Sequence, residues 1–382
     1  MNCRHFGTCG GCSLPGVPYA EQLARKRARL VDLLHISVPP LIASPRTAAF
    51  RQRAAFAFGS GPRGLVMGHF AAGSKRIVPV DECPVHSARG NRIAFALRDR
   101  LARAGIAAAD ARGGILRHIV IRTTEDDVEA VAMLVVARND KSLRAAVRGL
   151  LSSADAPDGF FININTTPGP YMVGEETIKI AGRGRVREKG FVGAASGRRV
   201  DFLVSPDAFF QTNVGAAREL VACVADAAGA AKRVLDLYCG SGLFTLPLAI
   251  GGAHVAAIEE NRQAIDDLKA NVKLNRIPGG RVRPIAARVE DAIARVGREP
   301  WDAVVLDPPR EGCSPAVRAA VFTQIRAARV VYVSCNPEAL GRELPDIVKD
   351  GYDIERVQAV DMFPHTEHIE TVVTLRRRNM MR

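Results

Sequence analysis

The segment VLDLYCGSGLFTLPLA, residues 234–249, constrains the fold of this 382-residue chain more than any other stretch. It reads as an apolar strand, a glycine turn and a helix. Gly240 and Gly242 let the backbone approach a ligand closely, just where a helix N-terminus follows. Thr245 stands where the third glycine of G-x-G-x-x-G is expected, so a dinucleotide site is the weaker reading. After RVLDLY (233–238) come HVAAIE (254–259), RVRPIA (281–286), DAVVLD (302–307) and RVVYVS (329–334), each one helix-length from the next. This rhythm predicts a doubly wound α/β sheet. YDIERVQAV (352–360) and HIETVVTLRR (368–377) are two further strand candidates.

The first half reads differently. Strands are expected over Arg51–Phe58, 118–124, 128–136 and 160–165, and helices near 18–35, 87–105 and 140–151. That is a mixed α+β pattern with antiparallel strands. The length suggests two domains, 1–203 and 204–382, with the boundary around RRVDFLVSPDAFFQTN. No apolar run is long enough to span a membrane, and the N-terminus carries no apolar signal core, so a cytoplasmic location is expected.

The formal net charge is +13, with arginine spread along the whole chain. Such a field attracts a polyanion, so nucleic acid is the leading partner class and its binding is expected to weaken steeply with salt. Arg51 and Arg53 in FRQRAAFAF are the candidate phosphate contacts, against the plainer alternative of an exposed strand face. Cys3, Cys9 and Cys12 have C-x5-C-x2-C spacing and Cys83 lies far downstream. Such thiolates could hold zinc or an iron–sulfur cluster, and spacing alone leaves the choice open.

The string DLYCGSG resembles the first motif of class I methyltransferases, whose turn passes under the methionine part of S-adenosylmethionine. Glu259 ends the second strand, where a carboxylate accepts hydrogen bonds from ribose hydroxyls; a solvated strand-end carboxylate is the plainer alternative. In VVLDPPREGC (304–313), Asp307 is expected to face the ligand edge of the sheet. Enzymes that methylate base amino groups carry an aromatic residue after Asp/Asn-Pro-Pro. Arg310 stands there instead, which weakens that reading. In VVYVSCNPEAL (330–340), Cys335 follows a strand and Pro337 opens a helix, so an exposed thiol with a lowered pKa is expected. A thiolate suits carbon methylation: addition to C6 of uracil makes C5 nucleophilic, and a base must later remove the C5 proton. The tail DMFPHTEHIETVV offers Asp361, Glu367 and Glu370 with His365 and His368, and the residues alone do not choose among them.

DLYCGSG, DPPREG, SCNP and DMFPHTEHIE, in that order, together with FFQTN and PYAEQLARKRARL, resemble the RNA uracil-C5 methyltransferases over nearly the whole chain. The resemblance implies a class I (Rossmann-like) methyltransferase domain behind an α+β domain that carries a cysteine-ligated cluster. It implies Cys335 as nucleophile and Glu370 as base, which leaves Glu367 outside the main role. Gln211, Tyr238, Gly240, Glu259 and Asp307 become S-adenosylmethionine contacts, and Cys223, Cys239 and Cys313 bystanders. Cys3, Cys9, Cys12 and Cys83 match a [4Fe-4S] pattern borne by ribosomal-RNA members and lacking in transfer-RNA members. 23S ribosomal RNA is therefore the expected substrate, for a monomer with no obligate protein partner. The extra β-barrel of one ribosomal subgroup is not expected, because the cysteines begin at Cys3. The alternatives are a transfer-RNA uridine-C5 enzyme, an RNA cytosine-C5 enzyme, from which DPPREG departs, and a non-catalytic iron–sulfur RNA-binding module.

Overall fold

A computed structural model describes residues 3–110, 113–167, 172–194 and 196–378. Helix α1 (Tyr19–Leu34) leads into β1 (Arg53–Gly61), β2 (Gly64–Phe70), β3 (Ile77–Pro79), α2 (Ala88–Arg103), β4 (Leu116–Thr123), β5 (Ala130–Val136), α3 (Leu143–Leu151), β6 (Gly159–Ile164) and β7 (Glu176–Gly182). The seven strands form one sheet in the order β3-β2-β1-β4-β5-β6-β7. Every pair in it is antiparallel except β5–β6, which α3 connects in parallel. The run AVAMLVV of β5 is buried throughout because both faces of the sheet are covered. Ala130, Ala132, Leu134 and Val136 join one core with α2 and α3, while Val131, Met133 and Val135 join another on the opposite face. That alternation is the period of two of a strand.

The second core belongs to both halves of the chain. It takes in a hairpin of β8 (Val186–Val192) and β9 (Arg199–Val204), then α4 (Val214–Ala228) and one face of the C-terminal sheet. The segment RRVDFLV, expected near a domain boundary, is thus the paired strand β9, with Val200, Phe202 and Val204 buried. Phe191, Phe202 and Phe210 meet edge to face or tilted, at 4.9–6.1 Å between centroids.

The C-terminal sheet is built from β10 (Arg233–Leu237), α5 (Thr245–Ile250), β11 (His254–Glu259), α6 (Arg262–Leu274), β12 (Val282–Ala286), α7 (Val289–Val296), β13 (Ala303–Leu306), α8 (Pro315–Ala319), β14 (Arg329–Ser334), α9 (Pro337–Lys349), β15 (Tyr352–Val360) and β16 (Glu370–Arg377). Its order is β12-β11-β10-β13-β14-β16-β15, parallel as far as β14 and antiparallel beyond it. This is the sheet of a class I methyltransferase. Strand order reverses beside β10, and such a crevice is where open α/β sheets bind ligands.

Helix α1 packs on this C-terminal sheet. Leu30 and Leu34 join the core of Leu340 and Leu344 from α9. Two polar residues of α1 are also buried, Gln22 and Lys26. Lys26 Nζ lies 2.7 Å from Asp361 Oδ1, just past β15, and both side chains are almost inaccessible to water. Nζ also donates to the Phe363 carbonyl at 3.1 Å. Among the described residues no helix is long and apolar enough to cross a membrane.

A buried pair that loses one partner leaves a desolvated charge. Lys26→Met is therefore expected to cost about 3–5 kcal/mol in urea unfolding. The double variant Lys26→Met/Asp361→Leu is expected to recover part of that loss. A single-variant cost below about 1 kcal/mol would show that the pair does not hold the tail.

Candidate active site

The turn after β10 is shaped by backbone that few side chains tolerate. Tyr238, Gly240 and Gly242 all have positive φ, at 65°, 53° and 93°. A Cβ on Gly242 would meet Leu268 Cδ1 at 2.5 Å, and its φ of 93° itself favours glycine there. A Cβ on Gly240 meets nothing within 4 Å, so open space lies beside that backbone. Among the bonds that hold the turn, Gly240 N–H donates to Glu259 Oε2 at 3.1 Å, and Asn271 Nδ2 donates to the Ser241 carbonyl at 3.3 Å. Glu259 Oε1 accepts from Asn261 N at 2.8 Å. Beneath the turn, Asp236 is fully buried and bonded by Thr245 Oγ1. Burial raises its carboxyl to about 7, and the negative charge of Glu259 adds to this. The Tyr238 hydroxyl lies beside Glu290 and Cys313, and burial pushes its pKa up.

Gln211 is buried in an irregular stretch before α4. Its neighbours are anchored from both halves of the chain. Gln52 N donates to the Thr212 carbonyl at 2.7 Å, Arg122 Nη2 to the Ala208 carbonyl at 2.8 Å, and Asn213 Nδ2 to the Met362 carbonyl at 3.0 Å.

Asp307 stands just past β13, its N–H 3.4 Å from the Leu237 carbonyl. Burial raises its carboxyl to about 7, and Asp236 and Glu259 push the same way. Cys335 stands just past β14. Ser334 and Asn336 form the turn that presents it: Asn336 N–H donates to Ser334 Oγ at 3.2 Å, and Asn336 Oδ1 accepts from Glu338 N at 3.1 Å to cap α9. Asn336 Nδ2 donates to the Arg310 carbonyl at 2.7 Å, tying this turn to the Asp307 loop. β16 runs back along β14 with Ser334 opposite Thr371, so Glu370 arrives beside Cys335. Glu370 is buried, its Oε2 has no partner, and its carboxyl is pushed well above the usual range by burial and by Asp307.

Of the three tail carboxylates, then, Glu370 is the one beside Cys335. Asp361 is occupied by Lys26, and Glu367 is exposed beside Arg29. His368 Nδ1 lies 2.7 Å from Arg310 Nη2. Arg310 is the residue that sequence reasoning undervalued. Its guanidinium reaches the Cys335 thiol and opposes the upward shifts of both Cys335 and Glu370. Its place directly after Asp307-Pro-Pro, at the same sheet edge, was the available signal.

Two expectations need correction. The Cys335 thiol is not lowered. Burial, then Glu370 and Asp307, push it up to about 11, which outweighs the lowering effect of Arg310. Arg51 and Arg53, expected as phosphate contacts, are half-buried, neither openly exposed nor on an exposed strand face, and burial lowers both pKa values.

Arg51 instead lines a second cavity with Cys3, Cys9, Cys12, Cys83, His5, Phe6, His69 and His86. Burial raises the thiols of Cys12 and Cys83 to about 12 and 11; Cys83, Cys9 and Cys3 add to the first, and Cys9 and Cys3 to the second. Arg51 Nε, His69 Nε2 and His86 Nδ1 are buried without partners. Ligand atoms of His69, Cys83 and His86 lie within 4.8 Å of one another. Cys239 and Cys313 are packing residues, and Cys223 packs half-buried against the shared core.

A family described as tRNA (Uracil-5-)-methyltransferase matches residues 180–378. An uncharacterized RNA methyltransferase of Gloeobacter violaceus is 34% identical over 382 residues, covering 97% of this chain and 81% of that protein. One from Synechocystis is 31% identical over 392 residues, covering 99% and 82%. Among solved structures, the tRNA (uracil-54, C5)-methyltransferase of Pyrococcus abyssi in complex with S-adenosyl-L-homocysteine superposes with a TM-score of 0.77. It is 28% identical and covers 97% of this chain and 86% of that one.

The raised thiol has a measurable consequence. The thiolate fraction grows as pH climbs toward the thiol pKa, so alkylation of Cys335 by iodoacetamide is expected to be slow at neutral pH. It should accelerate about tenfold per pH unit below the pKa of about 11, read by mass spectrometry of the Cys335 peptide. Arg310→Met should slow it and Asp307→Asn should speed it. A rate already at its plateau at neutral pH would show a thiolate in the free protein.

Proposed function

The chain belongs to the RNA uracil-C5 methyltransferase family, and from that premise we propose that it methylates C5 of a uridine in 23S ribosomal RNA through a covalent Cys335 adduct. The observation that carries the mechanism is the meeting of Cys335, Glu370, Asp307 and Arg310 at one sheet edge. S-adenosylmethionine, when bound, supplies an electrophilic methyl group. The open space beside Gly240 suits such a ligand over the glycine turn. Tyr238, Gly240, Glu259, Asp307 and Gln211 would hold it, with Glu259 accepting from hydroxyls.

Cys335 gives its thiol proton to solvent and its sulfur adds to C6 of the uracil, the C5–C6 π pair moving toward C5 and O4. C5 would then take up the methyl group as that group's bond to the donor sulfur breaks. Glu370, ionised against burial with the help of Arg310, then removes the remaining C5 proton, the C5–C6 double bond re-forms, and the sulfur leaves. Arg310 stabilises the thiolate at both ends of this path. The positive net charge supports an RNA substrate.

A [4Fe-4S] cluster would be held by Cys3, Cys9, Cys12 and Cys83. The unpartnered nitrogens of Arg51, His69 and His86 fit a thiolate-rich anion in that cavity. The methyl transfer needs no electron from such a cluster. The cysteine pattern is also what favours ribosomal over transfer RNA, whereas the Pyrococcus abyssi neighbour favours transfer RNA. A map of 5-methyluridine in both RNAs, with and without this protein, decides between them, and mass spectrometry separates 5-methyluridine from 5-methylcytidine.

Anaerobically purified protein is expected to be brown, with about four irons per chain. Stoichiometric zinc without iron would instead point to a mononuclear site using His69, Cys83 and His86.

Cys335→Ala is expected to form no covalent RNA adduct. Glu370→Gln is expected to add, methylate and then stall, with turnover lowered by about 10²–10⁴. The stalled species is a protein–RNA band on denaturing gels that carries labelled methyl. Methylation by Cys335→Ala would falsify the nucleophilic mechanism, and a trapped adduct in Glu367→Gln alone would move the base to Glu367.

A further inference from the structure

The cysteine cavity and the catalytic tail touch. Ser13 N–H and Leu14 N–H, directly after Cys12, both donate to the His365 carbonyl, at 2.9 and 3.0 Å. Glu367 N–H donates to Ser13 Oγ at 3.1 Å. From the other side, buried Gln22 accepts the His365 N–H at 2.7 Å through Oε1, and its Nε2 lies 3.3 Å from His365 Nδ1. His365 Nε2 lies 2.8 Å from the Thr47 carbonyl. One neutral tautomer satisfies all of these at once: Nε2–H donates to Thr47 and Nδ1 accepts from Gln22. The Phe6 ring packs 6.3 Å from the imidazole.

His365 also has φ 66°, a left-handed backbone that a non-glycine residue keeps only when its surroundings over-determine it. The stretch 361–369 has no helix or strand. It is pinned at its start by the Lys26–Asp361 pair and at its middle by His365, and it delivers Glu370 into β16. Residues 3–14 likewise contain no helix or strand, and outside their own turns their backbone is tied to Phe70 at Gly10 and to His365 at Ser13 and Leu14.

We propose that His365 is a positioning residue through which the cysteine-bearing segment, closed around its metal centre, holds Glu370 against Cys335. This rests on the functional reading above and makes the metal centre one jaw of a clamp, with α1 as the other. The glycine turn that would hold the methyl donor lies outside the clamp. Loosening it should therefore spare donor binding and addition by Cys335 and slow the later step that needs Glu370.

The test compares metal-loaded wild type, protein stripped by an anaerobic chelator, and metal-loaded His365→Ala. Hydrogen exchange in the peptide covering 361–370 is expected to rise about tenfold in the last two, from the loss of a few hydrogen bonds. Binding of S-adenosylhomocysteine, measured by calorimetry, is expected to change far less than kcat, because the tail reaches the donor contacts only through Met362 beside the Gln211 stretch. With RNA, both altered forms should accumulate the methylated adduct, with kcat lowered and KM for RNA little changed. His365→Asn, which tolerates the left-handed backbone, should restore part of kcat. If stripping unfolds the protein, His365→Ala with its metal content retained decides alone. Unchanged exchange over 361–370 in His365→Ala overturns the clamp. Failure of loaded wild type to form any adduct overturns the functional reading instead, and the exchange result still decides the clamp.

Discussion

Everything at the site hangs on the antiparallel pairing of β16 with β14. Inserted between β14 and β15, the last strand has both edges bonded, and its side chains alternate between two cores, Val372 in one and Val373 in the other. That burial locks the register. A slip of one residue would turn every side chain of β16 to the opposite face and carry Glu370 away from Cys335. The last strand of the sheet thus completes the site that the glycine turn begins.

The electrostatics follow from that convergence. Asp236, Glu259, Asp307 and Glu370 influence one another in a poorly solvated crevice, and the carboxyls of Asp236, Asp307 and Glu370 rise together. A chain of net charge +13 therefore carries an acidic pocket, with Arg310 the cation acting on both Cys335 and Glu370. Such a pocket suits a cationic sulfonium donor. It also keeps the Cys335 thiol protonated in the free protein, so nucleophilic strength in the proposed reaction belongs to the assembled complex.

The two halves of the chain are not separable around this crevice. The stretch carrying Gln211 is bonded to Gln52 and Arg122 of the first sheet and to Met362 of the tail. Helix α1, first in the chain, lies on the last sheet. Residues from the start, middle and end of the sequence meet because each covers apolar surface that the others leave open.

Much was legible in the residues themselves. β-rich runs separated by helix-length segments announced the C-terminal sheet, and Gly240, Asp307 and Cys335 announced its ligand edge, since strand period, glycine turns and proline helix starts are local properties. Less legible were β2, β3 and the β7–β9 strands. These are short or half-exposed, and their pairing rather than their composition makes them strands. RRVDFLV looked like a boundary for that reason. The resemblance had already implied Glu370; only the tertiary structure brought it beside Cys335, turned Arg51 into the cysteine cavity, and reversed the expected shift of the thiol. Each of these depends on burial and on charges tens or hundreds of residues away in sequence. A residue's type determines what chemistry it can do; the fold determines which charges surround it and whether water reaches it.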